Sequence, residues 1–242
     1  MRIWHQGFVE LDALPEYVAA LTRHARAVAT PGVAVDLHGL APGTYTPHRT
    51  AAELAGDPAL VTLGRDQVVE NIRRAEREGY DAAAITIVQN IGLREARAAV
   101  ALPVAGYGEA AMHVACMIGE RFGVVAFDRA IAAIVEGETE RLGLASRAVP
   151  VEQVDTDYGG VVEAFARPGP LVDAFTRAAR RSIDRGAEAL IPGQTIMAEV
   201  LWQHGVHRIG AVPVIDALGV TIAMAELLAR LRRTATPRAT RQ

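Results

Sequence analysis

The chain has a single cysteine, Cys116, among 242 residues. An internal disulfide is thereby excluded, and so is a metal site built on several thiolates. A basic surplus is also missing. The formal net charge is -3 and the isoelectric point is near 6.2, which is not the electrostatic footprint of a nucleic-acid binder. No apolar run approaches the about 20 residues needed to span a bilayer. The opening MRIWHQ carries no apolar stretch of the signal-peptide kind. A cytoplasmic location is expected, with neither nucleic acid nor membrane as partner. There is no phosphate loop, and Gly106–Tyr107–Gly108 lacks the third glycine and downstream acid of a dinucleotide fingerprint. No cofactor and no metal are expected.

Half of the residues are hydrophobic, enough for a large core in a chain near the size at which one domain divides into two. Short apolar runs alternate with longer amphipathic segments. Strands are predicted near Arg2–His5, Val33–Leu37, Ala82–Val88, Val104–Ala105, Gly123–Phe127, Ala148–Val154, Glu188–Ile191 and Ala211–Ile215. Helices are predicted near Leu14–Ala29, Arg65–Glu78, Leu93–Val100, Glu109–Gly119, Arg129–Leu142, Pro170–Arg185, Ile196–His204 and Ala217–Arg232. Several strands are apolar throughout, as in parallel sheets covered on both faces. The alternation predicts an α/β fold of two pseudo-symmetric lobes, each a doubly wound parallel sheet flanked by helices. One lobe is expected over 1–103 plus 216–232, the other over 104–215, with a disordered tail at 233–242. In such sheets ligands bind beyond the carboxyl ends of the strands. That places the loops His5–Phe8, Gly39–Thr50, Gln89–Gly92 and Gly193–Thr195 at a cleft between the lobes.

Four stretches carry a family resemblance: GYDAAAITIVQNIGLREARAAVALPVAGYGEAAMHVA from Gly79, FGVVAFD from Phe122, GAEALIPGQTIM from Gly186 and VPVIDALGVTIAMAELL from Val212. Together they resemble the hydantoin racemase branch of the aspartate/glutamate racemase superfamily, in order and over essentially the whole chain. The resemblance implies an active site between two lobes, where one cysteine from each lobe flanks the substrate's acidic carbon. One thiolate removes the α-proton and the other thiol returns a proton from the opposite face. At the matching positions this chain has Ile87 and Gln194. Ile87 has no proton to exchange, and Gln194 is a neutral amide that donates and accepts hydrogen bonds. Neither a two-thiol racemisation nor the one-thiol protonation of the related arylmalonate decarboxylases is available on this alignment. Cys116 lies about 10 Å along a helix from the cleft end among Val114, Met117 and Ile118, and reads as a buried structural residue.

The residues left for chemistry are polar groups at strand ends. Thr195 stands at a helix start, as a carboxylate or enolate contact or as an N-cap. Gln89 and Asn90 end a buried strand at the cleft edge, as substrate contacts or as loop-capping amides. His5 and Gln6 end the first strand, where the resemblance implies a substrate-binding asparagine. His5 is a candidate for proton transfer or a packed core histidine. His48 and Tyr45, in the long loop GLAPGTYTPHRT, are further candidates for proton transfer. The candidate catalytic set is thus His5, His48 and Tyr45, and the candidate binding set is Gln6, Gln89, Asn90, Gln194 and Thr195. Glu109 reads as structural, His113 as core, and His204 and His207 as surface residues. Asp155, Asp157 and Tyr158 form a polar loop of the second lobe. The resemblance implies a cofactor-independent enzyme, isomerase, lyase or hydrolase, acting on a small carboxylate or hydantoin-like amide, and a homo-oligomer. The other reading is a non-catalytic binder of a small metabolite.

Overall fold

A computed structural model describes residues 1–44, 57–127 and 129–235. The chain opens on β1 (Arg2–Gln6), α1 (Pro15–Val28) and β2 (Ala34–His38), then continues with α2 (Pro58–Arg77), β3 (Ala82–Ile85), α3 (Leu93–Ala99) and β4 (Val104–Gly106). Next come α4 (Tyr107–Ile118), β5 (Phe122–Ala126), α5 (Arg129–Arg141), β6 (Glu152–Gln153), α6 (Tyr158–Glu163), α7 (Gly169–Asp184) and β7 (Ala189–Pro192). The last elements are α8 (Thr195–Gln203), a small hairpin of β8 (Arg208–Ile209) and β9 (Val212–Pro213), and α9 (Ala217–Ala235).

Two parallel sheets result, in strand orders β2-β1-β3-β4 and β6-β5-β7. Alternation along the first sheet decides what each face touches. Ile3, Ala82, Ala84 and Ala105 join a core shared with α1, α9 and the second lobe, whereas Trp4, Ala83, Ile85 and Val104 face α2 and α3. Helix α1 begins with Pro15, whose fixed φ suits a first helical position, and buries Tyr17, Ala20, Leu21, His24 and Ala25 as one stripe. The shared core runs on through Val125, Leu190 and Phe175, so apolar packing is continuous between the sheets. The two-lobed α/β architecture read from the sequence is present.

Among the places where boundaries differ, four have a clear local reason. The first sheet extends past residue 103, because Val104–Gly106 pairs with Ala83–Ile85; the expected lobe boundary falls one strand early. Helix α2 begins seven residues before Arg65. Asp57 accepts from the backbone N–H groups of Ala59 at 3.0 Å and Leu60 at 3.4 Å, with Pro58 following, a cap and a proline that together start a helix. The expected strand Ala148–Val154 is reduced to one bridge, Ala148 with Phe122, and the pair Glu152–Gln153, since Pro150 between them has no N–H to donate. Val212–Pro213 belongs to neither parallel sheet. It pairs antiparallel with β8 around Gly210, which sits at φ +59, while Val214 makes a single parallel bridge to Leu190.

Candidate active site

In both sheets the strand order reverses at a switch point, between β1 and β3 in the first and between β5 and β7 in the second. The segments leaving the carboxyl ends of those four strands meet around a pocket of about 90 Å³, where a ligand is expected in such sheets. Thr86, Ile87, Val88 and Gln89 enter it from β3, Phe127 from β5, and Gln194, Thr195 and Ile196 from β7, with Phe8 and Tyr17 alongside. Its walls are mostly aliphatic and aromatic, and no described residue lining it carries a charge.

Gln194 is placed by the glycine before it. The Gly193 N–H donates to Val125 O at 2.7 Å, and a side chain there would meet that oxygen and Ala126. Close backbone contact therefore carries the chain from β7 across to β5. Gln194 itself is 8% exposed. Its Oε1 accepts from the Phe127 N–H at 3.3 Å. Its Nε2 is buried and has no hydrogen-bond partner. An unmatched buried donor of this kind costs about 1–3 kcal/mol, and this one belongs to a pocket-lining side chain.

Thr195 lines the pocket, but its hydroxyl donates to Thr86 O at 2.8 Å, joining the two lobes. The N-cap is Gln194, not Thr195. Gln89 lines the pocket. Three other expectations are corrected. Gln6 is buried, with Nε2 donating to Gly7 O and Gly39 O and Oε1 accepting from the Trp4 indole; its amide is satisfied within the fold. Asn90 is held at φ +51, a left-handed conformation that asparagine tolerates better than most residues. Its Nδ2 donates to Glu138 and its Oδ1 accepts from the Glu109 N–H, so it ties α4 to α5 outside the pocket. His5 is fully buried rather than facing the cleft, and its Nε2 meets the Thr86 hydroxyl at 2.8 Å. Burial, with a contribution from His38, lowers its pKa to about 4. A neutral imidazole of that kind is a weak base. His48 and Tyr45 lie outside the described residues.

The remaining polar residues are structural or superficial. Glu109 pairs with Arg97 at 2.9 Å. His113, expected in the core, is exposed, its Nδ1 against Glu109 O at 2.7 Å, because it lies opposite the buried stripe of α4. His204 and His207 are exposed, and no described trio of histidine, cysteine or acidic side chains is placed to hold a metal. Asp155 and Asp157 line a separate open depression, and Asp157 caps α6 through the Gly160 N–H at 2.8 Å. Cys116 is partly buried on α4, away from the pocket-lining residues, and burial pushes its thiol pKa up.

Two groupings escaped the sequence reading. Thr86 is the sole polar residue in the run Ala82–Val88, the one signal that marked it. His24 of α1 sits between Glu199 of α8, at 2.9 Å from Nδ1, and Asp216 ahead of α9, at 3.0 Å from Nε2, and it stacks on Trp202. Separations of 175 and 192 residues leave no local pattern for that cluster.

A family model described as Asp/Glu/Hydantoin racemase matches residues 10–225. The chain belongs to this family. It is 28% identical to a hydantoin racemase of Pseudomonas sp. (strain NS671) over 165 residues, 68% of this chain and 64% of that protein. The match therefore spans somewhat under two thirds of that relative. A hydantoin racemase of Rhizobium meliloti is also 28% identical, over 187 residues, 75% of this chain and 76% of that one. Among solved structures, allantoin racemase from Klebsiella pneumoniae superposes with a TM-score of 0.80 at 24% identity, covering 96% of this chain and 89% of the other. The likeness in fold extends to the two parallel sheets and their flanking helices. Ile87 and Gln194, the two positions where the resemblance sets thiols, line the same pocket, one from each lobe.

Proposed function

We propose that the chain is a cofactor-independent, cysteine-independent isomerase of the racemase family. In this reading it moves a proton at the acidic carbon of a small hydantoin-like cyclic amide or carboxylate. The observation that carries it is the Gln194 amide, whose Nε2 is buried and unpartnered in a pocket with mostly aliphatic and aromatic walls. A neutral donor held in such a place favours a substrate oxygen, and favours it most as negative charge develops on enolisation. The lack of a charged side chain among the described lining residues favours a neutral cyclic amide over a dicarboxylate. The names of the relatives, hydantoin and allantoin racemases, agree with that class. Gln89 supplies a second amide. Proton transfer is assigned to His48 and Tyr45, which follow β2 in the sequence and lie outside the described residues.

The test is mass spectrometry of 5-substituted hydantoins, allantoin, malonates and amino acids incubated with the protein in deuterated water. Uptake of one deuterium without net change is the expected result. Loss of mass would replace isomerase with lyase, and gain of water would replace it with hydrolase. Thermal stabilisation by a hydantoin with no isotope uptake would replace the enzyme with a metabolite-binding protein. His48→Ala and Tyr45→Phe are expected to slow the exchange.

A further inference from the structure

Burial, strand register and the Gln194 donor converge on a residue that has no place in the two-thiol scheme. Thr86 follows β3 and lines the pocket from the first lobe. Its backbone is fixed twice, by its N–H to Gln6 O at 2.9 Å and by its carbonyl accepting the Thr195 hydroxyl. Its hydroxyl oxygen lies 2.8 Å from His5 Nε2 and 3.2 Å from Gln6 O. The His5 ring is completely buried behind it, and Nδ1 has no partner.

We propose that Thr86 is a substrate-contacting hydrogen-bond donor, the partner of Gln194 in holding the substrate oxygen that gains charge, and that His5 is its positioning residue. This rests on the proton-transfer reading above and adds to it a second donor and the group that aims it.

The tautomer of His5 decides what Thr86 offers. A proton on Nδ1 makes no hydrogen bond of ordinary geometry and has only the weaker approach of the His5 and His38 carbonyls, and a poorly matched buried N–H is the rarer and costlier kind of orphan. With the proton on Nε2, the imidazole donates to Thr86 Oγ1 and only a lone pair stays unmatched at Nδ1. The hydroxyl, its oxygen already accepting from His5, turns its own proton outward to Gln6 O or to a ligand. The Gln6 contact is the longer of the two, so a ligand oxygen competes for that proton. Thr86 Oγ1–H from one lobe and Gln194 Nε2–H from the other then stand as uncharged donors to one ligand oxygen. Substrate binding thereby draws on both lobes. His5 remains neutral from about pH 5 upward, since burial and His38 on β2 lower its pKa to about 4. No acidic side chain of β1, β2 or β3 contributes to that shift.

The experiment measures hydrogen–deuterium exchange at C5 of 5-benzylhydantoin by the full-length protein and four variants. Thr86→Val keeps the shape and removes the hydroxyl, and Thr86→Ser returns it. His5→Leu removes the donor to Thr86, and His5→Gln offers an amide N–H in its place. Thr86→Val is expected to lower kcat by about 100-fold with little change in KM, and Thr86→Ser to recover most of the loss. His5→Leu should lower kcat in the same direction, His5→Gln less so, and the Thr86→Val/His5→Leu pair should be no worse than Thr86→Val alone. The kcat profile should show no break attributable to His5 from about pH 5 upward. Nitrogen NMR of the wild-type protein should find His5 protonated at Nε2, a readout that needs neither substrate nor variant. Full activity in folded Thr86→Val, or a His5 proton on Nδ1, would overturn the proposal. Exchange absent in the wild type itself would instead overturn the isomerase reading.

Discussion

Gln194 is the pocket-lining amide whose surroundings are most tightly defined. Gln194 stands between Gly193, whose close approach to Val125 O tolerates no side chain, and Thr195, whose hydroxyl is committed to Thr86 O. With its Oε1 bound to the Phe127 N–H, only Nε2 remains for a ligand. Gln194→Leu keeps most of the volume and removes that donor. The expected outcome is a fall in kcat/KM for isotope exchange of about 100-fold, with a circular-dichroism spectrum like that of the wild type. Restoring the chemistry that the resemblance implies is a complementary test. Ile87→Cys/Gln194→Cys sets a thiol on each side of the same pocket and is expected to make exchange sensitive to iodoacetamide. The wild-type activity should be insensitive, because Cys116 lies away from the pocket and its thiol pKa is raised.

At the scale of elements, helix ends do most of the positioning. Asp57 and Pro58 start α2 ahead of its amphipathic stripe of Gly64, Val68, Ile72 and Ala75. Removing the cap in Asp57→Ala is expected to destabilise the protein by about 1 kcal/mol in urea unfolding. His24 links three helices. Burial opposes its charge, but Asp216 and Glu199 outweigh burial and raise its pKa to about 9. Burial at the same time pushes the Glu199 carboxyl upward, against the pull of His24. Unfolded, His24 returns to about 6.5. Its folded pKa lies above that, so the folded state binds the proton more tightly. The stabilisation is complete below about pH 6.5 and is lost as pH rises through about 9. The difference in unfolding free energy between the wild type and His24→Gln is therefore expected to be largest near pH 6 and to shrink steadily toward about pH 10. A difference that grew with pH would refute the charged clamp.

Across the whole molecule, the two sheets share one apolar core while the pocket opens between their carboxyl edges. Continuity of that core, through Ile3, Leu21, Val125, Phe175 and Leu190, leads to the expectation that the lobes unfold together. The Thr195 hydroxyl bond to Thr86 O crosses between them at the pocket. Thr195→Val would leave the Thr86 carbonyl unmatched, and is expected to lower stability by about 1–3 kcal/mol while a single unfolding transition persists by both fluorescence and circular dichroism. Two transitions in the variant would show that the lobes are joined by this bond rather than by the core.

Much of the architecture was legible in the order of residues alone. Continuously apolar runs such as Ala82–Val88 and Gly123–Phe127, separated by amphipathic segments, require buried parallel strands and covering helices, because only that arrangement removes both faces of such strands from water. The strand-end rule points to the segments that carry Gln89, Gln194 and Thr195. Local punctuation was partly misread: Asp57–Pro58 is a helix start, Pro150 breaks a ladder, and Gly210 turns a hairpin. What the sequence could not decide was the direction and company of each polar side chain. His5, Gln6, Gln89 and Asn90 look equivalent as residues at strand ends, yet Gln6 has its hydrogen bonds filled by backbone carbonyls and the Trp4 indole and Asn90 by Glu138 and the Glu109 N–H, His5 is sealed behind Thr86, and only Gln89 of the four reaches the pocket. That sorting depends on which strand lies beside which and on whose backbone groups remain unpaired. Those are properties of the packed sheet, set by contacts between residues far apart in the chain, and only the tertiary structure contains them.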